Sequence, residues 1–347
     1  MEKFKIILRI VIFGIIGIFI AQLLGMIFVP KWTSKRDPAT PGVKGYYLEE
    51  PDTIDVLLLG NSDIRNGISP IEMWKEYGIT SYNRGTSNQT MGLSYYILKE
   101  SIEYQKINTV VLDMDALFVT KNVPEGQYRK LLDNMKLNKS KLEILLDKNL
   151  KVKNKLTYIF PIFRFHSRWK ELKPDDFKIL KKYNKSTSYK GFPISTKVNP
   201  YIDEKKYMED KGVVADIPEK NAYYFEKIVN FCKENNIQLL LIEIPSASSW
   251  SLARSKSTQE LAQKYQLEFV DMNCTLKELN FNWETDTTDK GNHLNLSGAE
   301  KISHYIGNIL KERYNLEDHR KDNKYMHWNE ETVRYEKVKN ATKNTSK

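Results

Sequence analysis

Cysteine is nearly missing from this chain of 347 residues, with only Cys232 and Cys274, set far apart. That gives no disulfide framework or paired-cysteine zinc spacing, and both thiols read as buried and free, with a disulfide or metal pair as the weaker alternative. Internal repeats are also lacking, which excludes a solenoid or propeller. No ribonucleoprotein motif, zinc-finger spacing or helix-turn-helix signature occurs, so a nucleic-acid partner is not expected. Neither charge sign dominates: 54 basic residues face 44 acidic ones, a net +10 spread over many segments, which suits a solvated surface or an anionic neighbour equally. With 41% hydrophobic and 12% aromatic residues, the chain has material for a real core and is not broadly disordered.

Only one long apolar run is present. IILRIVIFGIIGIFIAQLLGMIFV (6–29) is broken only by Arg9 and Gln22, and its 20 residues from Ile10 to Val29 match a ~30 Å hydrocarbon core at ~1.5 Å per residue. Lys3, Lys5 and Arg9 precede it, which predicts a cytoplasmic N-terminus and a translocated remainder; Lys31, Lys35 and Arg36 follow it and pull the other way. The run is too long for a signal peptide and no A-x-A site follows, so an uncleaved single-pass anchor is expected. This divides the chain into an N-terminus with anchor (1–30), a proline-rich linker (31–53), a folded domain (54–316) and a polar C-terminal tail (317–347) that is frayed or draped over the domain.

Within the folded part, short apolar runs alternate with helical segments. Strands are predicted at Ile54–Gly60, Ile79–Gly85, Ile107–Asp115, Ile237–Pro245 and Leu267–Met272. Helices are predicted at Pro70–Gly78, Gly92–Gln105, Ala222–Asn235, Ser257–Tyr265 and Ser297–Tyr314. This rhythm predicts an α/β fold with a three-layer, mainly parallel sheet. A Lys-rich stretch at about 122–216 interrupts it and reads as an insertion or cap.

Three segments fall where an open α/β sheet places its ligand site, past the carboxyl ends of strands. In LLLGNSDIRNG, Gly60 permits a sharp turn and Ser62 projects a hydroxyl from it, a geometry suited to acyl transfer; the same Asn-Ser pair also suits a helix cap. In YNRGTSNQT, Gly85 can offer an unobstructed N–H, and Asn88 or Gln89 a side-chain amide; a plain βα turn uses the same residues. In TDTTDKGNHLNLSGAEKIS, His293 precedes a helix expected to start near Ser297, with Glu300 as its capping-box partner. Asp289, four residues earlier, can accept from one imidazole nitrogen and leave the other to take a proton from Ser62. A lone loop histidine with a coincidental aspartate is the plainer alternative.

These blocks together resemble the SGNH (GDSL-type) hydrolase superfamily: GNS after the first strand, a glycine loop after the second, and D-x-G-x-H-L-N near the C-terminus. With the N-terminal anchor and FPIFRFHSRWKEL (Phe160–Leu172), the chain is similar to envelope members related to DltD, the D-alanyl-transfer protein of teichoic acids. It is most similar to those paired with membrane-bound O-acyltransferases. The resemblance implies a flavodoxin-like SGNH fold, Ser62 as nucleophile, His293 as base and Asp289 as its orienter. The oxyanion donors would be Ser62 and Gly85 N–H, with Asn88 standing in for a third. Two positions depart from the pattern. The family's acid falls at Lys290, one residue after Asp289, and the third-block asparagine is absent from LDMDAL (112–117).

Arg65, His166, Arg168 and Trp169 are candidate substrate contacts, Arg168 as an anion clamp and Trp169 as a sugar-stacking face. Packing of an amphipathic helix is the alternative for the last three. The resulting expectation is a serine-dependent O-acyltransferase or esterase without a cofactor. It would be held at the outer face of a bacterial cell membrane, act on envelope polysaccharide or teichoic-type polymer, and work beside a membrane-bound O-acyltransferase. The second expectation is a non-catalytic glycan-binding or scaffolding module of the same fold.

Overall fold

The computed structural model of the chain describes residues 2–30, 39–120, 123–177, 188–202 and 207–345. Lys31, Lys35 and Arg36, together with part of the expected linker and insertion, lie outside them.

In chain order the elements are α1 (Glu2–Phe28), α2 (Ala39–Tyr46), β1 (Val56–Leu59), α3 (Ser62–Gly67), α4 (Pro70–Tyr77), β2 (Ser81–Asn83) and α5 (Met91–Ser101). Then follow β3 (Thr109–Asp113), α6 (Glu125–Leu132), α7 (Lys139–Leu146), α8 (Leu156–Ile159) and α9 (Ile162–Phe165). The last are α10 (Glu219–Glu234), β4 (Gln238–Glu243), α11 (Leu252–Tyr265), β5 (Glu268–Asp271), α12 (Leu296–Arg313) and α13 (Met326–Thr345). They form two compact units. One comprises Met1–Pro38 and Lys151–Tyr183; the other comprises Ala39–Leu150 and Asn184–Lys347.

The first unit is built on α1, a helix of 27 residues that is long and apolar enough to cross a membrane. Its last turns carry α8 and α9: Gln22 donates to the Ile159 carbonyl at 2.8 Å, and the Pro161 ring packs against Gly25.

The second unit is an α/β domain with five parallel strands in the order β2-β1-β3-β4-β5. That is a doubly wound, flavodoxin-like sheet. Strands β1 and β3 are buried along their whole length, which explains why they read as unbroken apolar runs. Register aligns Leu58 with Val111 and Val111 with Leu240. Those side chains share one face and pack on Ile64, Met73, Ile302, Ile306 and Leu310 of α3, α4 and α12. On the other face α5 packs against α10.

Local chemistry sets the helix ends. Pro70 opens α4, where its missing N–H costs nothing, and Gly78 closes it with a left-handed φ of 68°. Thr90 and Ser251 cap α5 and α11 through hydroxyls accepting from Leu93 and Arg254 N–H. At α12 the expected capping box is replaced. Asn295 is the cap, accepting from Gly298 N–H, while Ser297 bonds to Asp286 and Glu300 pairs with Lys339. The tail, expected to fray or to drape over the domain, forms α13 with Trp328 and Tyr335 fully buried.

Candidate active site

The first strand ends at Gly60, whose φ of 155° and whose clearance are both needed. A Cβ there would stand 2.4 Å from Asp113 Cβ. The chain turns over Asp113 and enters α3 with Ser62 as its first residue, so the Ser62 N–H is among the donors a helix start leaves without an intrahelical partner. Asn61 caps this short helix, accepting from Asp63 N–H at 2.7 Å, and its amide donates to Asp115 Oδ2 at 2.6 Å. The cap and the half-buried Ser62 hydroxyl therefore coexist on neighbouring residues.

His293 reaches Ser62 from a loop 231 residues away, with Nε2 at 2.8 Å from Ser62 Oγ. Asp289 holds the ring from behind: Oδ2 is 2.6 Å from Nδ1, and Oδ1 accepts from the His293 backbone N–H at 2.6 Å. A carboxylate only accepts, so Nδ1 carries the proton and Nε2 is the acceptor for the Ser62 hydroxyl. The four-residue spacing works because the loop is a narrow turn. Thr287 bridges Leu294 antiparallel, Thr288 N–H donates to the His293 carbonyl at 3.0 Å, and Lys290 takes a left-handed φ of 61°. The loop after β4 pins it, with Ala247 N–H donating to the Gly291 carbonyl at 2.8 Å and Ser246 Oγ to the Asn292 carbonyl at 3.2 Å.

The loop after β2 presses on the same turn. Asn83 donates to the Ile64 and Ile68 carbonyls at 2.7 and 3.0 Å. A Cβ on Gly85 would meet Ile64 Cγ2 at 2.6 Å and the Asn61 carbonyl at 2.8 Å. The Gly85 N–H donates to Asn83 Oδ1 at 3.0 Å, so any contact with a reacting oxygen would share or replace that bond. Asn88 is exposed, with a left-handed φ of 52°, whereas Gln89 is buried and bonded to Thr86 and Ser94. Arg65 lies on α3 and donates to Ser87 Oγ at 3.3 Å.

His166, Arg168 and Trp169 belong to the first unit. Arg168 donates to the Phe28 carbonyl and lies 3.4 Å from Asp176, His166 Nδ1 is 3.2 Å from the Phe163 carbonyl, and the Trp169 ring is exposed. Their partners within that unit are the end of α1 and their own neighbours.

Sequence reasoning missed an acidic layer beneath Ser62. Asp63, Asp113, Asp115 and Glu243 are all buried, supplied by α3, β3, the turn after it, and β4. Burial pushes the Asp63, Asp113 and Glu243 carboxyls well above the usual range, and each is pushed further by its acidic neighbours. Burial also raises Asp115, against the opposing charge of Arg254, whose Nη1 donates to Asp115 Oδ1 at 2.9 Å. Asp63 accepts from Ser249 Oγ at 3.2 Å and stands 3.7 Å from His293 Nε2. Among the described residues no group of three or more His, Cys, Asp or Glu is placed to hold a metal ion. The double Asp in LDMDAL was the available signal, because an acid closing a strand that otherwise reads TVVL, with a second acid in the turn after it, is unusual for a buried segment.

No family model matches the chain, and no curated protein matches it. Among solved structures it is similar to a Bacteroides fragilis protein described as a "putative acylhydrolase", at 14% identity and a TM-score of 0.38. The match covers 79% of this chain and 95% of that one.

Proposed function

We propose that this chain is a membrane-anchored serine acyltransferase or esterase working through Ser62, His293 and Asp289. One observation carries the reading: the Ser62 hydroxyl is 2.8 Å from a ring nitrogen whose opposite nitrogen is 2.6 Å from a carboxylate. Ser62 Oγ attacks an ester or thioester carbonyl while His293 Nε2 takes its proton. The developing oxyanion is met by Ser62 N–H, with Gly85 N–H and Asn88 as further donors. His293 returns the proton to the leaving group, and Ser62 remains acylated. An acceptor hydroxyl or water then gives its proton to His293 and attacks the acyl carbon, and His293 passes that proton to Ser62 Oγ as the acyl–Oγ bond breaks.

The resemblance to DltD-related envelope proteins and the apolar α1 support a finer reading. The domain would face outward from a bacterial cell membrane as a single-pass protein, with polysaccharide or teichoic-type polymer as acceptor and a membrane-bound O-acyltransferase as acyl supplier. A non-catalytic glycan-binding or scaffolding role is the second reading. It is favoured by Asp115, a carboxylate that binds Asn61 and Arg254 on the stretch where the resemblance implies an asparagine donor.

The test is covalent labelling of the full chain in detergent by a fluorophosphonate. Wild type is expected to label, Ser62→Ala to lose all label, and His293→Ala to label about 10²–10⁴-fold more slowly, the span of general acid–base contributions. An unlabelled wild type, with correct folding shown by circular dichroism, would leave the binding module standing.

A further inference from the structure

Four large apolar side chains outside α1 are exposed within one short stretch: Leu156 (61%), Phe163 (58%), Trp169 (64%) and Phe177 (58%). The stretch is not a loose loop. Gln22 ties Ile159 to α1 at 2.8 Å, the Pro161 ring sits 3.2 Å from the position of a Gly25 Cβ, and the Arg168 guanidinium donates to the Phe28 carbonyl. All three attachments fall on the last two turns of the apolar helix, within about 9 Å along its axis at 1.5 Å per residue. Arg168 thus fixes its own level, and that of the adjoining Trp169, to the end of the apolar run.

The composition fits that level. Residues 151–177 carry seven Lys or Arg (151, 153, 155, 164, 168, 170, 173) against three acids, Glu171, Asp175 and Asp176. Asp176 is buried beside the largely buried Arg168 at 3.4 Å, and the exposed charges are Lys151, Lys153, Lys155, Lys170 and Lys173 against Glu171 and Asp175, so the outward charge is basic. Lys170 Nζ lies 5.0 Å over the Trp169 ring, pairing an amphipathic aromatic with a cation that can reach past it. Exposed Trp and Phe beside Lys and Arg, clamped to the end of a hydrophobic span, is the chemistry of a bilayer interface and its anionic headgroups.

We propose that Leu156–Phe177 forms an interfacial collar on α1. It seats Phe163, Trp169 and Phe177 at the boundary of headgroups and acyl chains in a bilayer containing anionic phospholipid. The collar goes beyond the acyl-transfer reading and rests on it only in taking α1 as membrane-embedded. It gives the anchor a second, shallow attachment, so that the basic residues bind phosphate while the rings bury apolar surface.

The test uses the full chain reconstituted into phosphatidylcholine vesicles with and without phosphatidylglycerol, comparing wild type with Trp169→Phe. The difference in tryptophan emission isolates Trp169. It is expected to be blue-shifted, to lose about half or more of its intensity to lipids brominated near the headgroup, and to resist aqueous iodide. The shielding should strengthen with phosphatidylglycerol and weaken in Lys170→Glu. A Phe163→Trp reporter in the Trp169→Phe background is expected to behave alike. Co-flotation with the vesicles reads α1 independently. A chain that floats but whose Trp169 is quenched by iodide and untouched by bromolipid overturns the collar alone. Failure to float overturns the anchor and the collar with it, without touching Ser62 labelling. Shielding seen only in native membranes, and not in pure lipid, assigns the face to a protein and overturns the lipid proposal.

Discussion

His293 and Asp289 differ enough in exposure that their substitutions should differ in kind. His293 is 20% exposed and Asp289 41%, so the carboxylate that orients the ring is itself wetted and its charge is screened. Its contribution is more geometric than coulombic, because Oδ1 holds the His293 backbone while Oδ2 holds the ring. Asp289→Asn is expected to slow labelling and ester turnover by about 10²–10⁴-fold with little loss of stability. Initial rates on a p-nitrophenyl ester, followed beside thermal melts, check both halves. Gly85 tests the opposite balance. A methyl there would lie 2.6 Å from Ile64 Cγ2, 2.8 Å from the Asn61 carbonyl and 3.0 Å from the Arg65 nitrogen, two of them backbone atoms. Gly85→Ala should therefore cost about 1–3 kcal/mol, the usual penalty of overpacking, and should shift the Ser62 turn. A melting temperature unchanged from wild type would show that the two loops are free to part. The glycine was visible in the sequence as a possible N–H donor; its tight packing against α3 was not, because close approach leaves no compositional mark.

At the scale of elements, the five strands were legible and the last helix was not, for one reason. A strand buried on both faces, such as Val56–Leu59 or Thr109–Asp113, must be apolar at nearly every position and so announces itself. Helix α13 buries a stripe at 328, 331, 335 and 339, which has helical spacing, but two of its four members are Glu331 and Lys339. Hydropathy therefore sees a polar tail. Partners for those charges come from distant sequence. Lys339 meets Glu72 at 2.8 Å and Glu300 at 2.5 Å, and the buried Lys190 lies 3.3 Å from Glu331 and 4.1 Å over the Trp328 ring. Burial would raise Glu72, yet hydrogen bonds from His304, Lys339 and Lys75 prevail and hold it well below the carboxylate range. Trp328 of α13 stacks on Trp74 of α4 at 5.3 Å, both fully buried. Trp328→Ala is expected to destabilise the second unit by about 3–5 kcal/mol, the range for aromatic truncation in a core. Denaturant unfolding would show it as a lower midpoint, and a shift below about 1 kcal/mol would mean that α13 only drapes.

Across the whole molecule, the ends of the parallel strands gather more carboxyl groups than there are cations bonded to them among the described residues. Asp63, Asp113, Asp115 and Glu243 come from four separate segments, and Arg254 is the cation bonded to one of them. The Asp113 and Glu243 oxygens are buried without a hydrogen-bond partner among the described residues. The acid pair in LDMDAL was the one hint in the sequence; Asp63 and Glu243 are ordinary in their own segments, and only the strand order brings the four acids together. Burial followed by mutual repulsion raises these carboxyls in the folded state, so the folded protein binds more protons than the unfolded chain between the ordinary carboxylate range and the raised values. Stability must then fall as pH rises through that window, the reverse of a salt-bridged aspartate. Replacing the acids with amides removes the titration but keeps the shape. Asp113→Asn and Glu243→Gln are therefore expected to raise the melting temperature, by a margin near zero at about pH 4, where the unfolded carboxyls titrate, and widening as pH rises. Melts of wild type and both variants across pH test this. A margin that stays constant with pH would show that the two carboxyls are charged and compensated in the fold. If the widening margin is accompanied by slower labelling of Ser62, the acidic layer is retained for the site at the expense of the sheet, since stability given up at strand ends is a common cost of function.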